Sequence, residues 1–412
     1  MRLCTGSLAP RVAVPSLRQI AAFRARGPVS PGIPEGWTPP YSLPAAGVAQ
    51  FIGTNNIQDV RPATHSAANW ARSVFGSFGT GCYVPAYSAG GAYVAAGTGG
   101  HLHPSNSGAC LFDFADATWK FRSCTNSGFT ENDNTGAAND WASAQTGGAD
   151  HYEITGANGT PAPPHPYATS IPIATGNNGS FLYVSRSAAC DESVNSGGSH
   201  ALNLETGVWT RWTENIYPIS LGFESTTLLD SANNRAFVLT SNFHNYQTLH
   251  YLNLGTGAYA TLGSYSFPAA LEGTYSLDST NGLIIAHTGT ALRVIDLATP
   301  NNGWATVTVT GTLPTDDNTH WCYHPTLNKF YRLPTGGGTT LGRLVMTGAA
   351  SATYDTITLT GDTPPAFGDG GDVVTAPYRA LIYVSSIDRL AWMSGNGTAI
   401  TNDQQVTLIN PT

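Results

Sequence analysis

Apolar and polar residues alternate over short stretches of this chain, and these stretches recur along it. Each one consists of an alternating run, a short polar turn and a second run that centres on an aromatic residue. The plainest are residues 111–121, 201–212, 249–262, 292–309 and 341–359. Alternation with a period of two predicts β-strands, because helices would place apolar residues every 3.6 positions. The chain is therefore expected to consist mainly of β-hairpins.

The aromatic residues of these stretches mark a period. They are Trp119, Trp209, Tyr259, Trp304 and Tyr354. Successive markers lie 90, 50, 45 and 50 residues apart, and the first interval is about two of the others. A second hairpin precedes each stretch, most plainly at 226–240, 274–288, 320–334 and 372–386. Two hairpins per period make four strands per unit, which is the pattern of a β-propeller blade.

The repeated unit resembles the kelch repeat of kelch proteins and of the galactose-oxidase propeller. The likeness is best over 83–124 and 165–213, and it extends over about residues 80–390. The paired glycine of that repeat is present at Gly99 and Gly100 and is lost or displaced elsewhere. The resemblance implies a fold and no single activity, because kelch propellers serve as enzymes, adaptors and carbohydrate binders.

We therefore predict an all-β protein: a single β-propeller of about six four-stranded blades, with seven as the alternative, behind an irregular N-terminal arm. The predicted blades are 60–124, 166–215, 222–264, 271–312, 318–361 and 366–410. A seventh blade would have to lie in the turn-rich residues 126–165, which we interpret as a long loop. Either 47–53 or 405–410 is expected to close the ring as an outer strand. The domains are the arm, 1–44, and the propeller, 45–412.

Charge is distributed unevenly along the chain. Only 11% of residues are charged and the net charge is −8. The arm nevertheless holds five arginines and no acid before Glu35, and these are the candidate partner-docking residues: Arg2, Arg11, Arg18, Arg24 and Arg26. An acidic propeller excludes general nucleic-acid binding, which needs clustered cations. The basic arm either docks on an acidic surface of an assembly or is a solvated tail.

Cysteines and histidines suggest few chemical sites. Cys110 and Cys124 would face each other across a hairpin, as a disulfide or as two free thiols. His101 and His103 could share a metal if extended, although a turn explains them more simply. Cys82 and Tyr83, adjacent on a strand, would point to opposite faces and could not meet on one copper ion. No complete catalytic, metal or cofactor motif is found, so we assign no catalytic residue, metal or cofactor.

The remaining candidates are surface residues for recognition, namely Tyr246, His320 and Trp321, in loops rich in aromatic and hydroxyl groups. The chain has no membrane-length apolar run and no uninterrupted secretory core.

We predict a non-enzymatic structural or recognition protein: a component of a phage virion, in the tail, fibre or head decoration. Its partners would be other structural proteins of an oligomeric assembly, with host-surface glycan as a further one. The localisation would be the virion, with the cytoplasm or non-classical export as alternatives. The alternative function is a carbohydrate-active propeller, either a glycan-binding module or a galactose-oxidase-like copper oxidase.

Overall fold

The structure is a computed structural model. The residues it describes are 33–60, 80–96, 109–123, 170–174, 180–184, 199–207, 209–213, 226–230, 233, 235–241, 247–253, 259–265, 275–289, 291–315, 321–334, 336–365, 380–393 and 406–412.

The described residues form β-strands with two short 3₁₀ turns, Ile57–Val60 and Pro300–Asn302. The first strand is β1 (Val48–Ile52). Blade 1 consists of β2 (Thr80–Val84), β3 (Ala92–Ala96), β4 (Ala109–Asp113) and β5 (Thr118–Ser123). Blade 2 consists of β6 (Ser170–Ala174), β7 (Ser180–Val184), β8 (Ser199–Asn203) and β9 (Trp209–Thr213). Blade 3 consists of β10 (Thr226–Asp230), β11 (Arg235–Ser241), β12 (Gln247–Asn253) and β13 (Tyr259–Tyr265).

The second half of the chain continues the same plan. Blade 4 consists of β14 (Tyr275–Asp278), β15 (Leu283–Thr288), β16 (Ala291–Asp296) and β17 (Ala305–Thr310). Blade 5 consists of β18 (Cys322–His324), β19 (Lys329–Arg332), β20 (Thr340–Gly348) and β21 (Ser351–Thr358), and a short strand, β22 (Thr360–Gly361), follows it. Blade 6 takes β23 (Leu381–Val384), β24 (Arg389–Met393) and β25 (Val406–Ile409) from the C-terminal part and β1 from the N-terminal part.

The inner strands of the blades close into a ring. The strands β2, β6, β10, β14, β18 and β23 each contact the inner strand of the next blade, and β23 contacts β2 again. Within every blade the strands pair antiparallel in chain order, with β1 added outside β25 in blade 6. The described residues thus form an all-β propeller of six four-stranded blades, as the repeat predicts. The residues in which a seventh blade was considered, 126–165, lie outside the described part.

The apolar core is divided among the seams between blades. Five clusters of buried side chains each join two neighbouring blades, at the seams 1–2, 3–4, 4–5, 5–6 and 6–1. Adjacent residues of an inner strand enter different seams: Cys322 packs in seam 5–6, whereas Tyr323 packs in seam 4–5. Because strand side chains alternate between the two faces, both faces of a blade are buried.

The N-terminal strand closes the ring, as expected for residues 47–53. It pairs antiparallel with β25, with Ala49 opposite Ile409 and Ile52 opposite Val406. Its opposite edge is partly covered, because the carboxylate of Asp362 accepts the backbone N–H of Phe51 at 2.7 Å. Blade 6 therefore depends on a strand from the other end of the chain, which covers the outer edge of β25.

The outer strands of neighbouring blades are joined end to start, an arrangement we call the outer belt. The end of β17 pairs in parallel with the start of β21, where Thr308–Thr310 lie opposite Ser351–Thr353. In the same way β22, at the end of blade 5, pairs in parallel with Val48 and Ala49 at the start of β1.

The outer belt continues from blade 6 into blade 1 through a side chain. The backbone N–H of Thr54 bonds the carbonyl of Ala117 at 2.9 Å. The Asn55 amide donates to the carbonyl of Trp119 at 3.0 Å and accepts its N–H at 2.7 Å. This amide therefore replaces a short piece of strand, and blades 4, 5, 6 and 1 are linked around the rim.

One hairpin differs from the sequence prediction. The segment 372–386 was interpreted as both strands of the first hairpin of blade 6. The structure instead makes Leu381–Val384 the first strand and Arg389–Met393 the second, joined by the turn 385–388. The turn Ser-Ser-Ile-Asp (385–388) contains neither Pro nor Gly, so the pattern of turn residues in the sequence did not reveal it.

No helix in the described part of the chain is long and apolar enough to span a membrane.

We predict that Asn55→Ala lowers the free energy of unfolding by about 2 kcal/mol. The substitution leaves the N–H of Trp119, whose side chain is buried, without its acceptor. Urea denaturation followed by tryptophan fluorescence measures the change. Asn301→Ala, at an exposed position of a 3₁₀ turn, is the matched control and should shift stability by less than about 0.5 kcal/mol. Equal effects of the two substitutions would contradict the role given to Asn55.

We also predict unequal costs for two glycine substitutions. Gly311 has φ +106°, and an added Cβ would lie 2.2 Å from the carbonyl oxygen of Tyr354 in the outer belt. Gly289 has φ +56° and open space around its Cβ position. Gly311→Ala should therefore cost at least about 3 kcal/mol and Gly289→Ala about 1 kcal/mol, as thermal unfolding would measure. If the Gly311→Ala variant is as stable as Gly289→Ala, the outer belt can shift to accommodate the added methyl group at little cost.

Candidate functional site

The best-described surface of the propeller is the end at which the first two strands of each blade are joined. We call these connections the AB turns, and they are residues 85–91, 279–282, 325–328 and 385–388 in blades 1, 4, 5 and 6. Successive strands run in opposite directions, so the turns between third and fourth strands lie at the same end. We call it the AB end.

The AB turns of blades 4, 5 and 6 share one geometry. The fourth residue after each inner strand has a positive φ: Gly282 at 69°, Asn328 at 54° and Asp388 at 53°. Glycine, asparagine and aspartate are the residues that adopt this left-handed conformation most readily. The position therefore selects residue types that also carry hydrogen-bonding groups into the seams.

A tyrosine at the penultimate position of three inner strands ties each AB turn to its neighbour. In blade 6, the hydroxyl of Tyr383 donates to Asp388 of its own turn at 2.7 Å and lies 3.4 Å from Thr326 Oγ1 of blade 5. Thr326 also donates to the carboxylate of Asp388 at 2.7 Å. Burial raises the pKa of Tyr383 well above its ordinary value, so the hydroxyl stays protonated and keeps donating.

The same device joins blade 5 to blade 4. The hydroxyl of Tyr323 donates to Asn328 of its own turn at 2.7 Å. Burial raises its pKa well above the ordinary value, and the charge of Asp278 in blade 4 adds to this shift. Asn281 of blade 4 donates to Asn328 at 3.1 Å, and both amides are exposed. Two turns from different blades are therefore held in one hydrogen-bonded unit.

Blade 1 is joined to blade 6 in the same manner. The hydroxyl of Tyr83 lies 3.0 Å from the carbonyl oxygen of Gly90 and 3.1 Å from Ser386 Oγ of blade 6. Ser386 itself donates to the Gly90 carbonyl at 2.6 Å. The tied turns form a rigid polar platform across blades 4, 5, 6 and 1.

A buried imidazole lies beneath the platform in the seam between blades 5 and 6. His324 is 1% exposed, its ring centroid is 4.6 Å from that of Tyr383, and its Nε2 is 3.9 Å from the Asp388 carboxylate. Burial lowers the pKa of His324 to about 4, although Asp388 opposes this shift while Arg389 adds to it. The neutral ring therefore packs as an aromatic group at neutral pH.

The base of the N-terminal arm lies against the AB end. The hydroxyl of Tyr41 donates to the carbonyl of Phe114 in the turn between β4 and β5 at 2.9 Å. The side-chain amide of Asn410 donates to the carbonyl of Pro44 at 3.0 Å. Trp37 and Leu43 pack on the apolar cluster of seam 6–1. The domain boundary at residue 44 stays a prediction, but the last residues before it contact the propeller.

The recognition and docking residues predicted from the sequence are only partly within the described part of the chain. Trp321 is wrong as a surface-recognition residue, because its side chain is 0% exposed and belongs to the core cluster of seam 4–5. An aromatic residue beside a polar loop was mistaken for an exposed one. Tyr246 and His320 lie outside the described residues, as do all five arm arginines: Arg2, Arg11, Arg18, Arg24 and Arg26.

The cysteine predictions are partly resolved. Cys110 is a free, fully buried thiol, and burial raises its pKa well above the ordinary value. Cys124 lies outside the described residues, as do His101 and His103. Cys82 packs in seam 1–2 and Tyr83 in seam 6–1, so the two side chains do point to opposite faces of the strand. Among the described residues, no cluster of three His, Cys, Asp or Glu side chains could hold a metal ion.

The platform was not predicted from the sequence. Its signal lies in the aligned turns Asp-Ser-Thr-Asn-Gly (278–282), His-Pro-Thr-Leu-Asn (324–328) and Val-Ser-Ser-Ile-Asp (384–388). Each ends with a residue suited to positive φ, and in blades 5 and 6 a tyrosine precedes the turn. Aligning the blades on these turns would have found the set.

No protein-family model matches the chain, and no curated protein matches its sequence. Several solved structures show similarity to the chain. A chain in the crystal structure of the mitotic checkpoint complex is 8% identical, with 98% of both chains covered and a TM-score of 0.34. TolB from Acinetobacter baumannii is 11% identical, with 81% of this chain and 68% of that chain covered and a TM-score of 0.35. YjhT is 12% identical over 55% of this chain and 71% of that chain, with a TM-score of 0.32. Likeness at this level carries no argument about function.

We predict that the protein loses stability as pH falls from about 6.5 to 4. The unfolded chain takes up a proton on His324 below its ordinary pKa of 6.5, whereas the folded protein does so only near 4. The folded state is therefore disfavoured through this window, and no further below it. The contribution amounts to about 3 kcal/mol.

His324→Phe, which keeps an aromatic ring beside Tyr383, should flatten this part of the pH profile in urea unfolding. His250→Phe is the comparison, since burial lowers the pKa of His250 to about 4 as well, in blade 3. Each variant should remove a similar share of the slope. An unchanged profile in His324→Phe would contradict the assignment.

Proposed function

We propose that this protein is a non-enzymatic recognition or structural protein whose AB end contacts a partner protein. The observation that carries the proposal is that the base of the arm and the tied AB turns lie at the same end, so that one rigid surface presents both. A preorganised surface loses little conformational entropy on association, which favours specific binding.

The composition of the AB end supports a protein contact. Its exposed groups include the amides and the hydroxyl of Asn281, Thr326 and Asn328, beside the carboxylates of Asp116 and Glu205. The amides and the hydroxyl are uncharged and held in place by their neighbours, so they can donate and accept hydrogen bonds without the desolvation cost of a charge. The five arm arginines would add attraction for an acidic partner surface.

We also propose the finer assignments made from the sequence. The propeller would be of the kelch type, in keeping with aromatic markers at or beside the outer strands, such as Trp119 in β5 and Trp209 in β9. The assembly would be a phage virion, in which the protein serves as a tail, fibre or head-decoration component. The support for the virion is compositional: two lysines in 412 residues, a body rich in small polar residues, and a basic arm.

The test is removal of the arm with the propeller left intact. Residues 33–44 contact the core and β1 closes blade 6, so the deletion should comprise residues 1–32 and no more. We expect the truncated protein to unfold at the same temperature as the full chain and to remain a lone propeller. The full chain should form defined rings or attach to larger particles, as light scattering and electron microscopy would measure.

A full-length variant with all five arm arginines changed to glutamine is the matched control for arm length. If the charge of the arginines drives docking, this variant should fail to assemble, as the truncated protein does, and lowering the salt concentration should not restore assembly. If the full-length and truncated proteins have the same oligomeric state and particle shape, the arm is only a tail.

A further inference from the structure

Two Asn–Gly steps lie close together in blade 4, at the AB end. One is Asn281–Gly282 in the turn between β14 and β15, and the other is Asn302–Gly303 in the turn between β16 and β17. The two turns are joined, because the N–H of Leu297 donates to the carbonyl of Gly282 at 2.9 Å. Both asparagines are exposed. The same dipeptide therefore occurs twice in one blade, at neighbouring places on the same surface.

An Asn–Gly step can lose its side-chain amide in water without an enzyme. The backbone nitrogen of the glycine gives up its proton and attacks Cγ of the asparagine, so that a new N–C bond forms, the Cγ–Nδ2 bond breaks and ammonia leaves. Water then adds to the resulting succinimide ring and opens it to aspartate or isoaspartate. Glycine favours the reaction because it has no Cβ to hinder the approach of the side chain. The asparagine amide must be free to turn towards that nitrogen.

The two glycine nitrogens have similar surroundings. The N–H of Gly282 donates to the carbonyl of Asp278 at 2.9 Å, and the N–H of Gly303 donates to the carbonyl of Pro300 at 3.1 Å. Both glycines have φ +69°. The attacking nitrogen is therefore held in much the same way in both turns, and any difference in reactivity has to come from the side-chain amides.

The side-chain amide of Asn281 is held on two sides. Its Nδ2 donates to Asp278 Oδ2 at 2.7 Å and to Asn328 Oδ1 of blade 5 at 3.1 Å. The nitrogen is identified by its partner, because an ionised carboxylate only accepts. Asp278 is itself fixed, since it is 1% exposed and also accepts the backbone N–H of Asn281 at 2.8 Å. The amide must give up a charge-assisted hydrogen bond and a second bond before Cγ can turn towards Gly282.

The side-chain amide of Asn302 has no comparable restraint. Asn302 ends the 3₁₀ turn Pro300–Asn302, and its backbone N–H donates to the carbonyl of Thr299 at 3.0 Å. Among the described residues, its exposed side chain makes no hydrogen bond. Rotation of this amide towards Gly303 therefore exchanges hydrogen bonds with water alone.

We propose that Asn302 is a site of spontaneous deamidation, and that the hydrogen bonds across the seam between blades 4 and 5 protect Asn281. The modification places a new carboxylate at the AB end as the protein ages. Loss of the amide at Asn281 would instead set two carboxylates side by side and remove the donor to Asn328, so its protection preserves the platform. This chemistry belongs to the turns alone and does not depend on the proposed function.

The test follows deamidation of the folded full chain during incubation near neutral pH. Trypsin cleaves after Arg293, so the two sites fall in separate peptides, 236–293 and 294–329, and each peptide contains a single Asn–Gly step. Mass spectrometry of these peptides over time gives the rate at each site. We expect Asn302 to deamidate at least about tenfold faster than Asn281. In urea the two rates should converge, because unfolding removes the hydrogen bonds that hold Asn281.

Variants identify the source of the protection. Asn328→Gly removes the acceptor on blade 5 and keeps a residue suited to positive φ, as Gly282 is in blade 4. It should speed deamidation at Asn281 by about fivefold and leave the rate at Asn302 unchanged. Asp388→Gly, at the same turn position in blade 6, is the matched control. It removes hydrogen bonds of the seam between blades 5 and 6 only and should change neither rate.

A further variant, Asn302→Gln, should abolish the modification of peptide 294–329, because glutamine closes its larger ring far more slowly. Equal rates at the two sites in the folded chain would overturn the proposal. So would an Asn302 that keeps its amide in the folded protein and loses it in urea, because the 3₁₀ turn would then block ring closure. If Asn328→Gly leaves the rate at Asn281 unchanged, the contact with blade 5 does not protect it.

Discussion

Closure of the ring by β1 is the constraint on which the rest of the structure depends. A strand from the N-terminal part supplies the outer edge of a blade whose other three strands come from the C-terminal part. The same segment pairs with β22 of blade 5 and, through Thr54 and Asn55, with blade 1. Losing it would expose an edge of β25 and break two links of the outer belt at once. Stability is therefore cooperative between sequence positions more than 350 residues apart.

Because the ring is closed, its core can be distributed over the seams. In the described part of the chain, five of the six pairs of neighbouring blades share one apolar cluster each. The burial of both faces explains why many inner and middle strands, such as β4 with five buried residues in a row, do not show a polar face. It also explains why polar groups of the AB turns can be held so firmly, since the seams fix the distances between blades before any hydrogen bond forms.

Polar contacts between blades hold the AB end of the propeller together. There, carboxylates and hydroxyls satisfy each other in short turns, and the resulting platform presents amide and hydroxyl groups at its surface. A protein partner that contacts this end would meet groups that are already held in place.

The sequence by itself predicted the all-β class, the four strands of each repeat and about six blades, with seven as the alternative. It left the closing strand open between residues 47–53 and 405–410, and the structure decided for the first. The predictions follow from local patterns: period-two alternation, turn residues and the spacing of aromatic markers. The tertiary structure alone decided which side chains meet across the seams. Trp321 was expected at the surface and is buried, because its exposure depends on blade 4 and not on its own loop.

In the same way, the tyrosine hydroxyls of the AB end join residues from different blades, and hydrophobic periodicity in the sequence does not reveal such pairs. The hairpin of blade 6 was misplaced for a local reason, because its turn contains neither Pro nor Gly. Contacts between blades could not be predicted for a more general reason. They depend on how neighbouring sheets are placed in space, which the sequence of a single repeat does not specify.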